Sequence, residues 1–146
     1  MIRRYSPADL DGAAEVFRNA FAGEPWNESW SRELCLQRIG ELMSAPQSVG
    51  YVCEKDGAVR AVLCGRILTY LHGKEYVIDE FCVERDMQRS GIGSEILGYV
   101  REELSREGVI AIALMTSRGY PSERFYMKNG FTANDNMVFM YLSLKK

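Results

Sequence analysis

The stretch DEFCVERDMQRSGIGSEILGYVREELSREGVIAIALMT, residues 79–116, constrains the fold of this chain more than any other. It reads as the end of a strand, a polar loop with two glycines, and an amphipathic helix from about 91 to 106. Ile92, Ile96, Tyr99, Val100 and Leu104 recur at helical spacing and are expected on its buried face, and Gly108 suits a C-terminal cap. VIAIALMT then runs apolar without alternation, the pattern of a strand covered on both faces. A strand, a helix and a strand in that order make a right-handed crossover between parallel strands. The rest of the chain has to complete that sheet.

Upstream, IRRY suggests a short strand, and Ser6, Pro7 and Asp9 are placed as N-cap, first and third positions of a helix. Leu10, Ala13, Ala14, Phe17 and Phe21 follow at helical spacing until AGEPWNESW breaks the pattern. A second helix carries Cys35, Ile39, Leu42 and Met43 on one face and ends near SAPQS. From Val49 the period drops to two. Asp56-Gly57 is a strong hairpin turn between two strands, HGK is a second turn, and EYVIDEFCV is a third strand. Downstream, PSERFYMKNGF is a short helix begun by Pro121 and stopped at Asn129-Gly130, and NMVFMYLSL reads as a final strand. The order is β-α-α-β-β-β-α-β-α-β. It predicts one α/β domain over 1–146, with a mixed sheet and helices on both faces.

The bulk properties exclude several classes. A net charge of −2, a pI near 5.5 and no basic stripe argue against a nucleic-acid binder. MIRRYSPADL turns polar at once, unlike a secretion signal, and no apolar run approaches the roughly 20 residues needed to cross a bilayer. The expected setting is the cytoplasm, away from membranes. Cys35, Cys53, Cys64 and Cys82 form no C-x-x-C pair and sit in apolar stretches, as small buried hydrophobes do. The lone His72 lies in a polar turn with no second ligand, so no metal is expected.

The glycines of QRSGIGSEIL remain to be explained. A dinucleotide fingerprint needs a glycine where Ile96 stands, and a phosphate loop of the G-x-x-x-x-G-K-[ST] type needs a lysine that is missing. A helix N-terminus with unshielded amides is left, a natural anion site, with Arg89 beside it as a cation. Tight strand-to-helix packing explains the same glycines. The wider context bears on the choice. DEFCVERDMQRSGIGSEIL, an apolar strand and then FYMKNGF together resemble the GCN5-related N-acetyltransferase superfamily (GNAT). Gln88, Gly91 and Gly93 meet its signature [QR]-x-x-G-x-[GA]. The resemblance spans nearly the whole chain in element order and is sharpest from Asp79 to Phe131.

That resemblance implies acetyl-coenzyme A as co-substrate, its pyrophosphate cradled by Gln88, Arg89, Ser90, Gly91, Ile92, Gly93 and Ser94. It implies that main-chain groups of Phe81, Cys82 and Val83 hold the coenzyme arm, one amide polarising the thioester carbonyl. It makes Tyr126 the general acid, with Phe125 packing beside it among the coenzyme-binding residues. Many relatives carry an asparagine where this chain has Gly119. Ser122 or the backbone is then expected to substitute for its contact to the coenzyme.

Amide formation also needs a base for the amine. Asp79 and Glu80, expected on opposite faces of their strand, are candidates for that role or for holding a cationic substrate. The alternative for each is to face solvent or pair with Arg66. EPWNESW falls where relatives build the acceptor pocket, and Trp26, Asn27, Glu28 and Trp30 suit an amine-bearing ligand. The plainer alternative is a loop pinned to the core by Trp26. Two functions are therefore carried forward. One is an enzyme acetylating a primary amine of a small molecule or peptide. The other is a catalytically idle module binding acyl-coenzyme A or a partner. MVFMYLSL is a candidate surface for a homodimer.

Overall fold

The helix-start signals near the N-terminus fold as the sequence predicts. After β1 (Ile2–Arg4), the Ser6 amide donates to Asp9 Oδ2 at 2.8 Å, and both Asp9 oxygens accept from Arg3 at 2.9 Å. Asp9 is thereby buried with its charge matched. Helix α1 (Leu10–Ala22) then buries Ala13, Ala14, Val16 and Phe17, and α2 (Arg32–Met43) buries Cys35 and Ile39. Ser31 caps α2 by accepting from the Leu34 amide at 3.1 Å.

The structure, a computed structural model, describes residues 1–146 in two compact units, Met1–Met115 and Thr116–Lys146. In the first, β2 (Ser48–Lys55) and β3 (Ala58–Tyr70) are joined by Asp56 and Gly57 at φ 55° and 77°. Two successive left-handed residues are what a tight hairpin turn requires. β4 (Gly73–Val83), α3 (Ile92–Arg106) and β5 (Val109–Leu114) follow. The sheet order is β1-β2-β3-β4-β5, antiparallel except for the parallel β4–β5 pair that the crossover demanded.

The sheet has a core on each face. Val52, Val62, Cys64 and Cys82 pack with α1 and α2. On the other face the Tyr51 ring meets Tyr76 and Tyr99 edge-on at 6.3 and 6.2 Å, and its hydroxyl donates to Glu103 of α3 at 3.1 Å. Gly65 makes room there, because a β-carbon at 65 would run into the Tyr76 ring. The Tyr76 hydroxyl is satisfied by the Val49 carbonyl at 2.5 Å.

Three expectations need correction. Tyr99 is 37% exposed, and the buried stripe of α3 is Ile96, Leu97, Val100 and Leu104. Within the first unit β5 is not covered on both faces. It is the last strand of the sheet, and Ile110 is 57% exposed. Within the second unit the final strand is not formed. In the second unit, α4 (Pro121–Lys128) starts at its proline and stops at Asn129 and Gly130, the latter at φ 93°. A turn follows, with the Met137 amide donating to Asn134 O at 3.2 Å, but residues 132–146 form no strand. β-propensity is realised only beside a pairing neighbour, and nothing within that unit offers one.

Candidate active site

Near its C-terminal end β4 carries one residue too many. Cys64 of β3 lies opposite Glu80, but Gly65 lies opposite Ile78, which leaves Asp79 as a bulge. A bulge resets the alternation of side chains. Tyr76 and Ile78 therefore face α3, whereas Cys82 joins the core under α1 and α2 and Glu80 points the same way. Asp79 is bonded to Arg66, which alternation along β3 puts on the same face as Cys64, so the two acids share a face. This overturns the expectation of opposite faces, which held only for an unbroken ladder.

Each acid has an arginine. Asp79 takes a two-point bond from Arg66 at 2.8 and 2.9 Å, the pairing foreseen as one alternative. Glu80 accepts from Arg38 of α2 at 3.3 and 3.2 Å. The Glu80 side chain is only 17% exposed, and burial pushes its carboxyl above the ordinary range. The Arg38 guanidinium pulls it partly back, while the carboxylates of Asp79 and Glu28 add to the rise. Beneath them, burial first and the two acids second push the Cys64 thiol up to about 12. The thiols of Cys64 and Cys82 are thus inert hydrophobes.

The bulge also marks where the sheet opens. The β4–β5 ladder runs from Lys74 to Ile78 and stops, after which β4 continues beside β3 alone as far as Val83. Phe81 and Val83 are half-buried on this stretch and Cys82 is buried. It leads directly into the glycine loop. Gln88 closes the junction, its side-chain Nε2 donating to Val83 O at 2.9 Å, and Ser90 Oγ donates to Met87 O at 2.5 Å. Arg89 and Gly91 are both left-handed, at φ 65° and 87°.

Gly91 occupies the N-cap position of α3, and no side chain caps the helix. The first-turn amides of Ile92, Gly93 and Ser94 therefore have no capping acceptor. A β-carbon at Gly91 would meet nothing within 4 Å, so the space in front of the helix is open. Open space, free amides, the positive helix end and an exposed Arg89 fit a pyrophosphate.

The loop between α1 and α2 is anchored by aromatic contacts. Trp30 meets Phe17 edge-on at 4.8 Å and donates through Nε1 to Glu28 at 2.8 Å, and Trp26 lies 5.3 Å from Phe21. Both indoles are only half-buried, and Asn27 and Glu28 are exposed. The anchoring foreseen for Trp26 is present, with Trp30 sharing it. Glu28, Asp79, Glu80, Arg38 and Arg66 thus form one charged group in the first unit. Arg38 is the member that the sequence reading missed. Its only signal was a basic residue directly before the inward-facing Ile39.

In the second unit, Tyr126 is half-buried, its ring edge-on to Phe125 at 5.2 Å and to Phe131 at 5.3 Å. Ser122 Oγ shares a 2.7 Å hydrogen bond with Thr116 Oγ1. Gly119 is left-handed at φ 81°, and its amide donates to Glu123 at 2.8 Å.

With this geometry in place, comparison with known proteins identifies the class. Residues 11–131 match the acetyltransferase (GNAT) family, and the chain belongs to it. It is an acetyl-coenzyme A-dependent N-acetyltransferase by that membership. No curated protein sequence matches. Among solved structures, a possible acetyltransferase from Clostridium difficile 630 is 17% identical with a TM-score of 0.83, covering 99% of this chain and 98% of that one. An aminoglycoside acetyltransferase from an uncultured soil metagenomic sample, solved with sisomicin, is 17% identical with a TM-score of 0.77, covering 99% and 96%. An aminoglycoside 6'-N-acetyltransferase from Acinetobacter haemolyticus is 16% identical with a TM-score of 0.75, covering 99% of each chain. At such identities the likeness is one of fold.

Proposed function

We propose that the chain moves an acetyl group directly from acetyl-coenzyme A to a primary amine of a small molecule or peptide. One observation carries this reading: the bulge at Asp79, where β4 leaves β5 and runs into the uncapped start of α3. That arrangement gives a coenzyme a main-chain edge for its arm at 81–83 and a phosphate site at 88–94. It sets two acids at the point where the sheet opens.

In the reaction the amine nitrogen forms a bond to the thioester carbon and the carbon–sulfur bond breaks. Glu80, with Asp79 beside it, takes the amine proton directly or through water. Its raised basicity suits a group that must hold a proton and return it. An amide of the 81–83 segment supports the developing oxyanion. Tyr126 donates the proton that the departing thiolate needs. A phenol of ordinary pKa about 10 can protonate a thiolate of about 8.5 with modest help from its site. Trp26, Asn27, Glu28 and Trp30 form the acceptor side. Ser122 and Phe125 complete the coenzyme side, within a single functional domain of a cytoplasmic enzyme.

The test is amine-dependent release of coenzyme A across a panel that includes aminoglycosides, polyamines, amino acids and peptides. Release with at least one amine supports the enzyme. Thermal stabilisation by acetyl-coenzyme A, with no release across the panel, would convert the reading to an idle binding module.

A further inference from the structure

Transfer between two bound molecules needs the loops that hold them at a fixed distance from each other. Trp26 and Trp30 tie the acceptor loop to α1. A second tie comes from the coenzyme side. Between β4 and the glycine loop lies a one-turn helix, Arg85–Met87. Its frame is firm: the Glu84 amide donates to Arg60 O at 2.8 Å, and Asp86 accepts from the Arg60 guanidinium at 2.5 Å. From this base Glu84 accepts from Asn19 of α1 at 3.1 Å, and Arg85 reaches Gly23, directly after α1. A β-carbon on Gly23 would lie 2.7, 2.8 and 3.1 Å from Cζ, Nε and Nη2 of Arg85. Such similar distances mean that the guanidinium presents its face to Gly23. Gly23 itself is extended, at φ −91° and ψ 174°, which any residue adopts. The close approach of Arg85, and not the backbone conformation, is what asks for glycine here. Gly23 is also where the acceptor loop starts. Its carbonyl accepts from the Trp26 and Asn27 amides at 3.1 and 2.9 Å, and the Glu28 amide donates to Phe21 O at 2.8 Å. Whatever holds Gly23 therefore holds the turn that presents Trp26, Asn27 and Glu28.

We propose that Arg85 is a positioning residue, a brace that mounts the acceptor loop on the base of the coenzyme loop and so sets the acceptor against the thioester. The role rests on the acceptor and coenzyme sides of the proposed function. Side chains that must meet from separate elements keep productive geometry only through supporting contacts of this kind. Arginine suits the task, since its long stem spans the gap and its planar head covers a peptide surface. Arg85 lies six residues before Gly91, so the brace starts on the same loop that would hold the phosphates.

The experiment is steady-state kinetics of the whole chain with an amine that the wild type acetylates, with amide hydrogen exchange on the same samples. The variants are Arg85→Ala, Arg85→Lys, Gly23→Ala and the pair Gly23→Ala with Arg85→Ala. Gly23→Ala displaces Arg85 without altering it, and the fold survives because the clash falls on the end of a flexible side chain. Arg85→Ala and Gly23→Ala are each expected to raise the acceptor KM about tenfold, with kcat and the coenzyme KM within about twofold and Tm nearly unchanged. The amides of Trp26, Asn27 and Glu28 should exchange faster in both. The pair should match Arg85→Ala alone, because the added methyl then has nothing to displace. Arg85→Lys keeps the charge but loses the planar face, and is expected to behave as Arg85→Ala does. A lysine variant with the wild-type KM would overturn the brace in favour of charge alone. Additive effects in the pair, an unchanged acceptor KM, unchanged exchange at 26–28, or a loss confined to the coenzyme KM would also overturn it, with acetyl transfer left standing. A wild type that acetylates no amine would instead overturn the catalytic reading, and this role with it.

Discussion

At the residue scale, Glu80 and Tyr126 divide the proposed proton transfers, and each is tested by a different kind of change. Glu80 is held between burial, which raises its carboxyl, and Arg38, which lowers it. As the base, it sets the acid limb of kcat/KM above the ordinary glutamate range. Arg38→Met removes the lowering cation, so that limb is expected to move to higher pH, measured as a pH–rate profile. Stability follows the same sign. Where Glu80 is ionised, the variant leaves it unpaired and costs about 1–2 kcal/mol, less than the 3–5 of a fully buried pair. The discount follows from Arg38 being 41% exposed. Once the pH falls below the Glu80 pKa, the carboxyl is neutral and that cost disappears, which urea melts at two pH values will read. An acid limb that Arg38→Met leaves in place would remove Glu80 from the base role. Tyr126→Phe deletes one hydroxyl and keeps the ring contacts with Phe125 and Phe131. Turnover is expected to fall about 10²-fold with coenzyme affinity kept. Undiminished turnover would mean that water or another group protonates the thiolate.

At the scale of elements, the start of α3 decides whether the coenzyme reading stands. Acetyl-coenzyme A at about 100 times its dissociation constant adds about 2.7 kcal/mol of stability, read as a rise in Tm. Gly91→Asp places a carboxylate in the proposed phosphate site and is expected to abolish the rise. The substitution also costs about 1–2 kcal/mol because residue 91 is left-handed at φ 87°. The comparison is therefore the ligand-induced shift within each folded protein, and a full shift in the variant would move the phosphates elsewhere. The elements themselves were legible wherever their cause is local. Ser6, Pro7 and Asp9 start a helix, Asp56-Gly57 closes a hairpin, and Gly91 takes a left-handed conformation that favours glycine. What stayed hidden depends on pairing. The bulge at Asp79 is a one-residue offset against β3, and nothing in VIDEFCV marks it. The Arg38–Glu80 bond joins residues 42 positions apart. The final strand failed for the same reason: MVFMYLSL has the composition of a strand, but its partner is not named in its own sequence.

At the scale of the whole molecule, charge is sorted by site while the net value is only −2. The proposed coenzyme side presents Arg89 and the positive end of α3. On the proposed acceptor side Asp79 and Glu80 are each matched by an arginine, so surplus negative charge there rests on Glu28. A field divided in this way should steer the coenzyme's phosphates to one side and cationic amines to the other. Amines with a positive or polar body are therefore expected to be better acceptors than acidic amines such as glutamate. Glu28→Gln isolates the charge, because a glutamine oxygen can still accept from Trp30 Nε1 and hold the loop. The variant should raise KM for a cationic acceptor while leaving kcat nearly unchanged, since binding is weakened and chemistry is not. Added salt should shrink the difference, given a screening length of about 10 Å at 0.1 M. A preference for anionic acceptors, with Glu28→Gln kinetically silent, would end this account of acceptor choice while leaving the acetyltransferase class untouched.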